Sequence, residues 1–303
     1  MTPDSFGEYL YLAFEPSFTT TPHHLPHFGD TIPPYSVNSS DNKRVTFVKT
    51  LSMSTHQLIT ALAVLTLFAG SCKKDKIKAD TPQVFSASGN ITATVENFRQ
   101  SLGPLNTEPG ATSGRREITW EVVPDSLLDK KLPAQFFNQV GPEAKASLQR
   151  GIIYEPLADF RASRTSFASI DPAAATEFAA FSGTTTFANV SSNEWPVSFQ
   201  RAGTTEAAAV TGFGLVVSDV DVAGSVQLEF FNGTERIGVV AVPAHDNTSS
   251  FSFAGLKFST PVITSVKLTH QGILVSGEKD ISQGGANDLV VMDDFIYGEP
   301  IKN

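Results

Sequence analysis

Cys72 is the one thiol in this chain of 303 residues. It follows Ala69, Gly70 and Ser71 and precedes Lys73, Lys74 and Asp75. An apolar run over residues 58–70 leads into it. Small residues before a solitary cysteine, with charges directly after, resemble a lipobox, and the chemistry it serves is acylation of the thiol. Two acidic pairs come next. Asp219 and Asp221 sit at the end of an apolar segment, and Asp293 and Asp294 sit inside one. A carboxylate taken out of water needs partners. Three kinds would serve: a Ca²⁺ ion, which takes oxygen ligands; Arg115 or Arg116, through charge-assisted hydrogen bonds; or backbone N–H groups. A third constellation is Trp195 beside Asn193 and Glu194. An aromatic face flanked by amide and carboxylate groups suits a sugar ring and its hydroxyls. The competing reading packs Trp195 against the edge of the core.

Nucleophilic and acid–base catalysis find less. Beyond Cys72 there are two histidines, His245 and His270, and no Gly-x-Ser-x-Gly elbow. Glu117 and Glu121 share a strand face but would stand about 13 Å apart at strand rise. Glycosidases hold their two acids about 5–10 Å apart. No catalytic residue is therefore assigned. The formal charge of −9 excludes a phosphate-neutralising surface, and with it nucleic acid as a partner. A single cysteine excludes a disulfide framework, a cysteine-rich zinc site and an iron–sulfur cluster.

The elements that must carry these residues are mostly strands. Residues 1–52 show no helical or strand period and are expected to be upstream or disordered sequence. Met53 opens a signal peptide over residues 53–71, too short to span as a mature membrane helix. Residues 72–93 read as a tether and residues 94–303 as one domain. Thr94 is placed to cap a short helix, with Val95, Phe98 and Leu102 on one face and Gly103 closing it. Residues 115–122 alternate, which predicts a strand with Ile118, Trp120 and Val122 on one side. Short helical pieces are expected around residues 125–130, 143–149 and 172–181. Strands are expected over residues 210–217, at Phe251 and Phe253, over residues 262–268 and over residues 289–297. Val226 to Val242 reads as a hairpin turned at Asn232-Gly233, the strongest short hairpin signal. The whole predicts an all-β sandwich, jelly-roll-like, with a few short helices, preceded by the signal peptide.

From about Phe98 onward the chain resembles a family of exported bacterial proteins of unknown function. The matching stretches are Gly114-Arg115-Arg116-Glu117-Ile118-Thr119-Trp120, Gly212-Phe213-Gly214-Leu215-Val216-Val217-Ser218-Asp219-Val220-Asp221, Val242-Pro243-Ala244 and Val290-Val291-Met292-Asp293-Asp294-Phe295-Ile296-Tyr297-Gly298. The resemblance implies a β-sandwich and export, and carries no catalytic residues. The closing strand with its Asp-Asp pair is also similar to those of jelly-roll carbohydrate-binding and adhesion domains. The functional expectation is a lipid-anchored, non-catalytic binding or surface-structural module. Its expected partners are the membrane through Cys72 and a glycan or envelope protein. Lys73 after the cysteine fits release to the outer membrane in a Gram-negative cell. The alternatives are a glycan-active hydrolase of sandwich type and a partner-binding subunit of an envelope assembly.

Overall fold

A computed structural model describes residues 81–302, apart from Asn247. The 1–52 segment, the signal peptide and Cys72 lie outside the described residues. The elements run β1 (Gln83–Ser88), α1 (Thr92–Leu102), β2 (Arg115–Ile118), β3 (Ile152–Tyr154), β4 (Phe160–Ser163), β5 (Thr186–Asn189), β6 (Glu194–Phe199), β7 (Ala208–Ala209), β8 (Gly212–Ser218), β9 (Gln227–Asn232), β10 (Glu235–Ala241), β11 (Phe251–Lys257), β12 (Ser265–Thr269), β13 (Val291–Gly298) and β14 (Ile301–Lys302). The three expected helical pieces are single 3₁₀ turns at Asp125–Leu127, Ala146–Leu148 and Ala174–Thr176. The tether is shorter than expected, because β1 already pairs with β11 from Gln83.

Two antiparallel sheets form an all-β sandwich. The seven-stranded sheet runs β1-β11-β8-β13-β5-β4, with β2 also on β13; the five-stranded sheet runs β10-β9-β12-β6-β3. Strand periodicity decides which side chains meet between them. Leu228 and Phe230 of β9, Val266 and Leu268 of β12, and Trp195, Val197 and Phe199 of β6 face inward from the smaller sheet. Phe213, Leu215 and Val217 of β8 and Met292, Phe295 and Tyr297 of β13 face them from the larger one. Pro196 has no N–H to give. It is tolerated inside β6 because β3 ends opposite Val197, which leaves position 196 without a partner on that side.

Aromatic rings fill the centre. Trp120 stacks on Phe187 with centroids 3.7 Å apart, and Trp195 stacks on Phe295 at 6.0 Å. Phe187 meets Trp195 edge-on at 5.9 Å, which joins the two stacks. Trp120 departs from the expected strand. Strand β2 stops at Ile118, Trp120 takes φ 68°, and Val122 is exposed instead of sharing its face. The left-handed backbone costs about 1–2 kcal/mol. The indole N–H of Trp120 has no hydrogen-bond partner among the described residues, which costs about 1–3 kcal/mol more. Burying an indole contributes about 4–6 kcal/mol, so packing dominates.

The outer faces of the two sheets differ. Helix α1 lies against the seven-stranded sheet through Val95, Phe98 and Leu102, which join Val216, Phe253 and Ile296 in a second apolar cluster. Phe98 approaches so closely that a Cβ on Gly214 would stand 3.0 Å from its ring, and one on Gly255 3.3 Å. The two glycines are therefore the seat of the helix. Phe167, Phe178 and Leu289 form a third cluster with Val291 of β13. No such cluster covers the outer face of the five-stranded sheet among the described residues. That face presents Gln227, Glu229, Lys267, Thr269, Glu194 and Ser198, together with the apolar Phe231, Val239 and Ile153.

Phe187 contacts rings from both sheets and from Trp120, so Phe187→Ala should cost about 3–5 kcal/mol in urea unfolding. Leu157→Ala, at a side chain 90% exposed, should change stability by less than about 0.5 kcal/mol. Equal losses in the two variants would contradict the placement of the core.

Candidate functional site

Asp293 and Asp294 occupy a bulge. Met292 pairs with Val217 and Phe295 with Leu215, so β13 spends one residue more than β8 between those points. On the other side β5 pairs with Met292 and β2 takes over from Phe295. The bulge thus falls where β13 changes neighbours. Strict alternation would have sent the two carboxylates to opposite faces. The extra residue instead puts both outside the central core, between Val291 of the third cluster and Ile296 of the second.

Protein donors meet them there. Asp293 Oδ2 accepts the backbone N–H of Phe181 at 2.6 Å and of Ser182 at 3.0 Å. Asp294 Oδ1 accepts the Ser182 hydroxyl, and Oδ2 accepts Arg99 Nη2 at 3.0 Å. Arg99 also grips Glu117, and Arg115 reaches Glu117 at 2.6 Å. Arg115 therefore serves Asp294 only through Glu117. Arg116 goes elsewhere, into a fully buried two-pronged pair with Glu299 at 2.7 and 2.8 Å. Arg99 thus supplies positive charge beside Asp294, in a place with no exposure to solvent, and nothing there calls for the expected Ca²⁺.

Asp219 and Asp221 lie in a different setting. Asp219 follows β8 directly with φ 72° and is 5% exposed. His245, after β10, donates its backbone N–H to Val220 O at 2.7 Å. Its Nε2 lies 2.9 Å from Asp221 Oδ1 and 3.8 Å from Asp219 Oδ1. The segment between β12 and β13 adds Asp280 and Asp288, both buried. Asp280 accepts Ser282 N at 2.6 Å and Leu289 N at 2.7 Å; Asp288 accepts the N–H groups of Asp221 and Val222. Gly285 lets this segment close on itself, since a Cβ there would stand 1.8 Å from the carbonyl oxygen of Lys279. Donor atoms of Asp219, Asp221 and His245 lie within 4.8 Å of one another, and so do those of Asp221, Asp280 and Asp288. Burial, then the charges of Asp221, Asp280 and Glu177, push the Asp219 carboxyl up to about 8, against the opposing pull of His245.

Sequence reasoning found Asp219 and Asp221 but missed Asp280, Asp288 and His245 as their neighbours. Nothing in the spacing of residues 269–288 tells which strand end that segment meets. Trp195 corrects an expectation. It is 1% exposed and points into the core, because it alternates with Glu194 and Pro196 along β6. Its ring is not offered to a ligand. Asn193 and Glu194 remain exposed at the rim of the open face. On that face Lys267 bridges Glu229 at 2.7 Å and Glu194 at 3.9 Å, and Arg236 holds Glu229 at 2.7 Å. His270 is buried; desolvation takes its imidazole down to about 4, and its Nδ1 faces the carbonyl of Gly272 at 2.6 Å.

Comparison with family models, with curated proteins and with solved structures found no match. What is defined is the class: an all-β sandwich with one sheet covered and, among the described residues, one sheet open. No helix among the described residues is long and apolar enough to cross a membrane.

Burial, and the charge of Asp294 beside it, push the Asp293 carboxyl up to about 8. The neutral form is favoured in the fold and the ionised form in the unfolded chain. The folded state then binds the extra proton, so this contribution is complete below about pH 4 and is lost as pH rises through the folded value. His270 has the opposite sign, but it acts only below about pH 6.5. Between about pH 6.5 and 8 in chelator, the protein should therefore lose stability. Asp293→Asn keeps an acceptor for Phe181 and Ser182, and should flatten that loss by up to about 2 kcal/mol. An unchanged slope in urea unfolding would count against the buried proton.

Proposed function

We propose that this protein is an exported, lipid-anchored binding or surface-structural module that engages its ligand, with glycans the first candidate, through the open face of the five-stranded sheet. One observation carries the reading: the seven-stranded sheet is covered on its outside, whereas no cluster among the described residues covers the outer face of the smaller sheet, where hydrogen-bonding side chains stand beside Val239, Phe231 and Ile153. Rows of Gln227, Thr269 and Glu194, and of Glu229, Lys267 and Pro196, run across three paired strands. Amide, hydroxyl and carboxylate groups spaced by strand pairing suit the hydroxyls of an extended polar ligand. The lipobox-like sequence at Cys72 supports anchoring, with the outer membrane as the location. The resemblance to exported sandwich proteins supports export.

A glycan-active hydrolase is the weaker reading. A general acid needs a raised carboxyl value. Hydrogen bonds from Lys267 and Arg236 hold Glu229 below the usual carboxylate range. Asp293, whose carboxyl burial pushes up to about 8, lies under the cover of the other sheet.

The test has two arms on the full chain. Cys72→Ser should abolish acyl labelling and move the protein from the membrane to the soluble fraction. Detergent-solubilised protein should bind members of a glycan array, and the double variant Gln227→Ala, Thr269→Ala should weaken that binding by about tenfold, the loss expected from about 1.4 kcal/mol. Full membrane retention of Cys72→Ser would remove the anchor. Silence across the array would remove the glycan reading, and undiminished binding by the double variant would remove the sheet face.

A further inference from the structure

We propose that Asp219, Asp221, Asp280 and Asp288 hold one divalent cation of the calcium type, which ties together the three connections that follow β8, β10 and β12. The inference is independent of the sheet-face reading above. Asp221 is the shared member: it forms one group with Asp219 and His245 and a second with Asp280 and Asp288, and within each group the donor atoms lie within 4.8 Å of one another.

Proximity of acids alone is common on protein surfaces, and a second observation gives this group its meaning. The Asp219 side chain is only 7% exposed. Its carboxylate turns towards the group, with Oδ1 3.8 Å from His245 Nε2, while Oδ2 is buried and receives no hydrogen bond among the described residues. Asp221 Oδ2 is in the same condition. Each such oxygen left unmet costs free energy.

The same molecule shows what a protein-only solution looks like. At Asp293 and Asp294 two backbone N–H groups, a hydroxyl and a guanidinium converge on the buried pair, and of the four oxygens Asp293 Oδ1 alone receives no hydrogen bond among the described residues. Around Asp219 and Asp221, no Lys or Arg among the described residues forms an ion pair with any of the four carboxylates; their one charge partner is His245. A divalent cation supplies the missing positive charge and uses the unmet oxygens at once.

The donor set points to a hard ion. Four carboxylates are offered, and Ca²⁺ takes oxygen ligands. The backbone N–H groups on Asp280 and Asp288 fix their orientation and leave further lone pairs on the same oxygens. His245 holds Asp221 Oδ1 at hydrogen-bond distance, 2.9 Å, and so acts as an orienting neighbour.

The full chain is stripped with a chelator and titrated with CaCl₂, MgCl₂ or ZnCl₂ in separate calorimetry experiments, with melting followed in parallel. One Ca²⁺ per chain is expected. At about a hundredfold excess over the dissociation constant, the melting temperature should rise by about 5–10 °C. Asp219→Asn and Asp221→Asn should each weaken Ca²⁺ binding by about tenfold or more, and Asp293→Asn should leave it unchanged. Asp288→Asn is the substitute if either variant fails to fold, with the same loss expected. No heat and no melting shift with any ion would overturn the proposal. So would wild-type affinity in Asp219→Asn and Asp221→Asn. Binding of Zn²⁺ alone, abolished by His245→Gln, would overturn the calcium assignment.

Discussion

Two adjacent carboxylates in the middle of a central strand impose the heaviest single demand on this fold. Strand β13 cannot bury Asp293 and Asp294 unless donors come from outside the sheet. Helix α1 brings Arg99, which Glu117 of β2 also holds, and the segment before β5 brings Ser182 and the N–H of Phe181. Helix α1 and Phe181 also cover apolar surface on that side. The bulge turns both acids away from the aromatic centre, and that centre can then close with no charge inside it.

The covering of the larger sheet follows from the same demand. Donors must sit on the outer face where the acids emerge, so a helix and a loop are drawn to that side. The smaller sheet carries no inward-pointing charge on its strands and requires no cover. Its outer side is free to carry the Glu229–Lys267–Glu194 ladder in solvent. Ion pairs of that kind contribute little to stability, which leaves those side chains open to be selected for something other than folding.

The sandwich was legible from the sequence because its clearest strands obey simple alternation. Strands β8, β9, β10 and β13 coincide closely with the expected segments, and β9 joins β10 in a hairpin whose turn is Gly233-Thr234, one position after the expected Asn232-Gly233 because Asn232 still pairs with Glu235. Helix α1 was legible through Val95, Phe98 and Leu102, although it begins at Thr92 and not after Thr94. Strands β1 and β3 to β7 were missed. Their exposed edges, short lengths and embedded Pro196 erase the period that alternation needs. The acidic sites were half legible. Type and burial could be inferred for Asp219, Asp221, Asp293 and Asp294. Which loops converge on them is a long-range property: Asp221 and Asp288 are 67 positions apart in the chain. The bulge was invisible for a related reason, since one inserted residue changes facing without changing composition. Trp195 misled because its polar neighbours resemble a loop, whereas alternation alone hides its ring.

The aromatic centre has a spectroscopic corollary. The chain contains two tryptophans, and both belong to one connected group of rings with Phe187 between them. Tryptophan emission from this protein therefore originates at a single buried location. It reports cooperative loss of the interior, and is blind to events on the exposed strands of the smaller sheet or among the acidic loops. Occupancy at either place has to be followed by calorimetry or by a dye placed there deliberately.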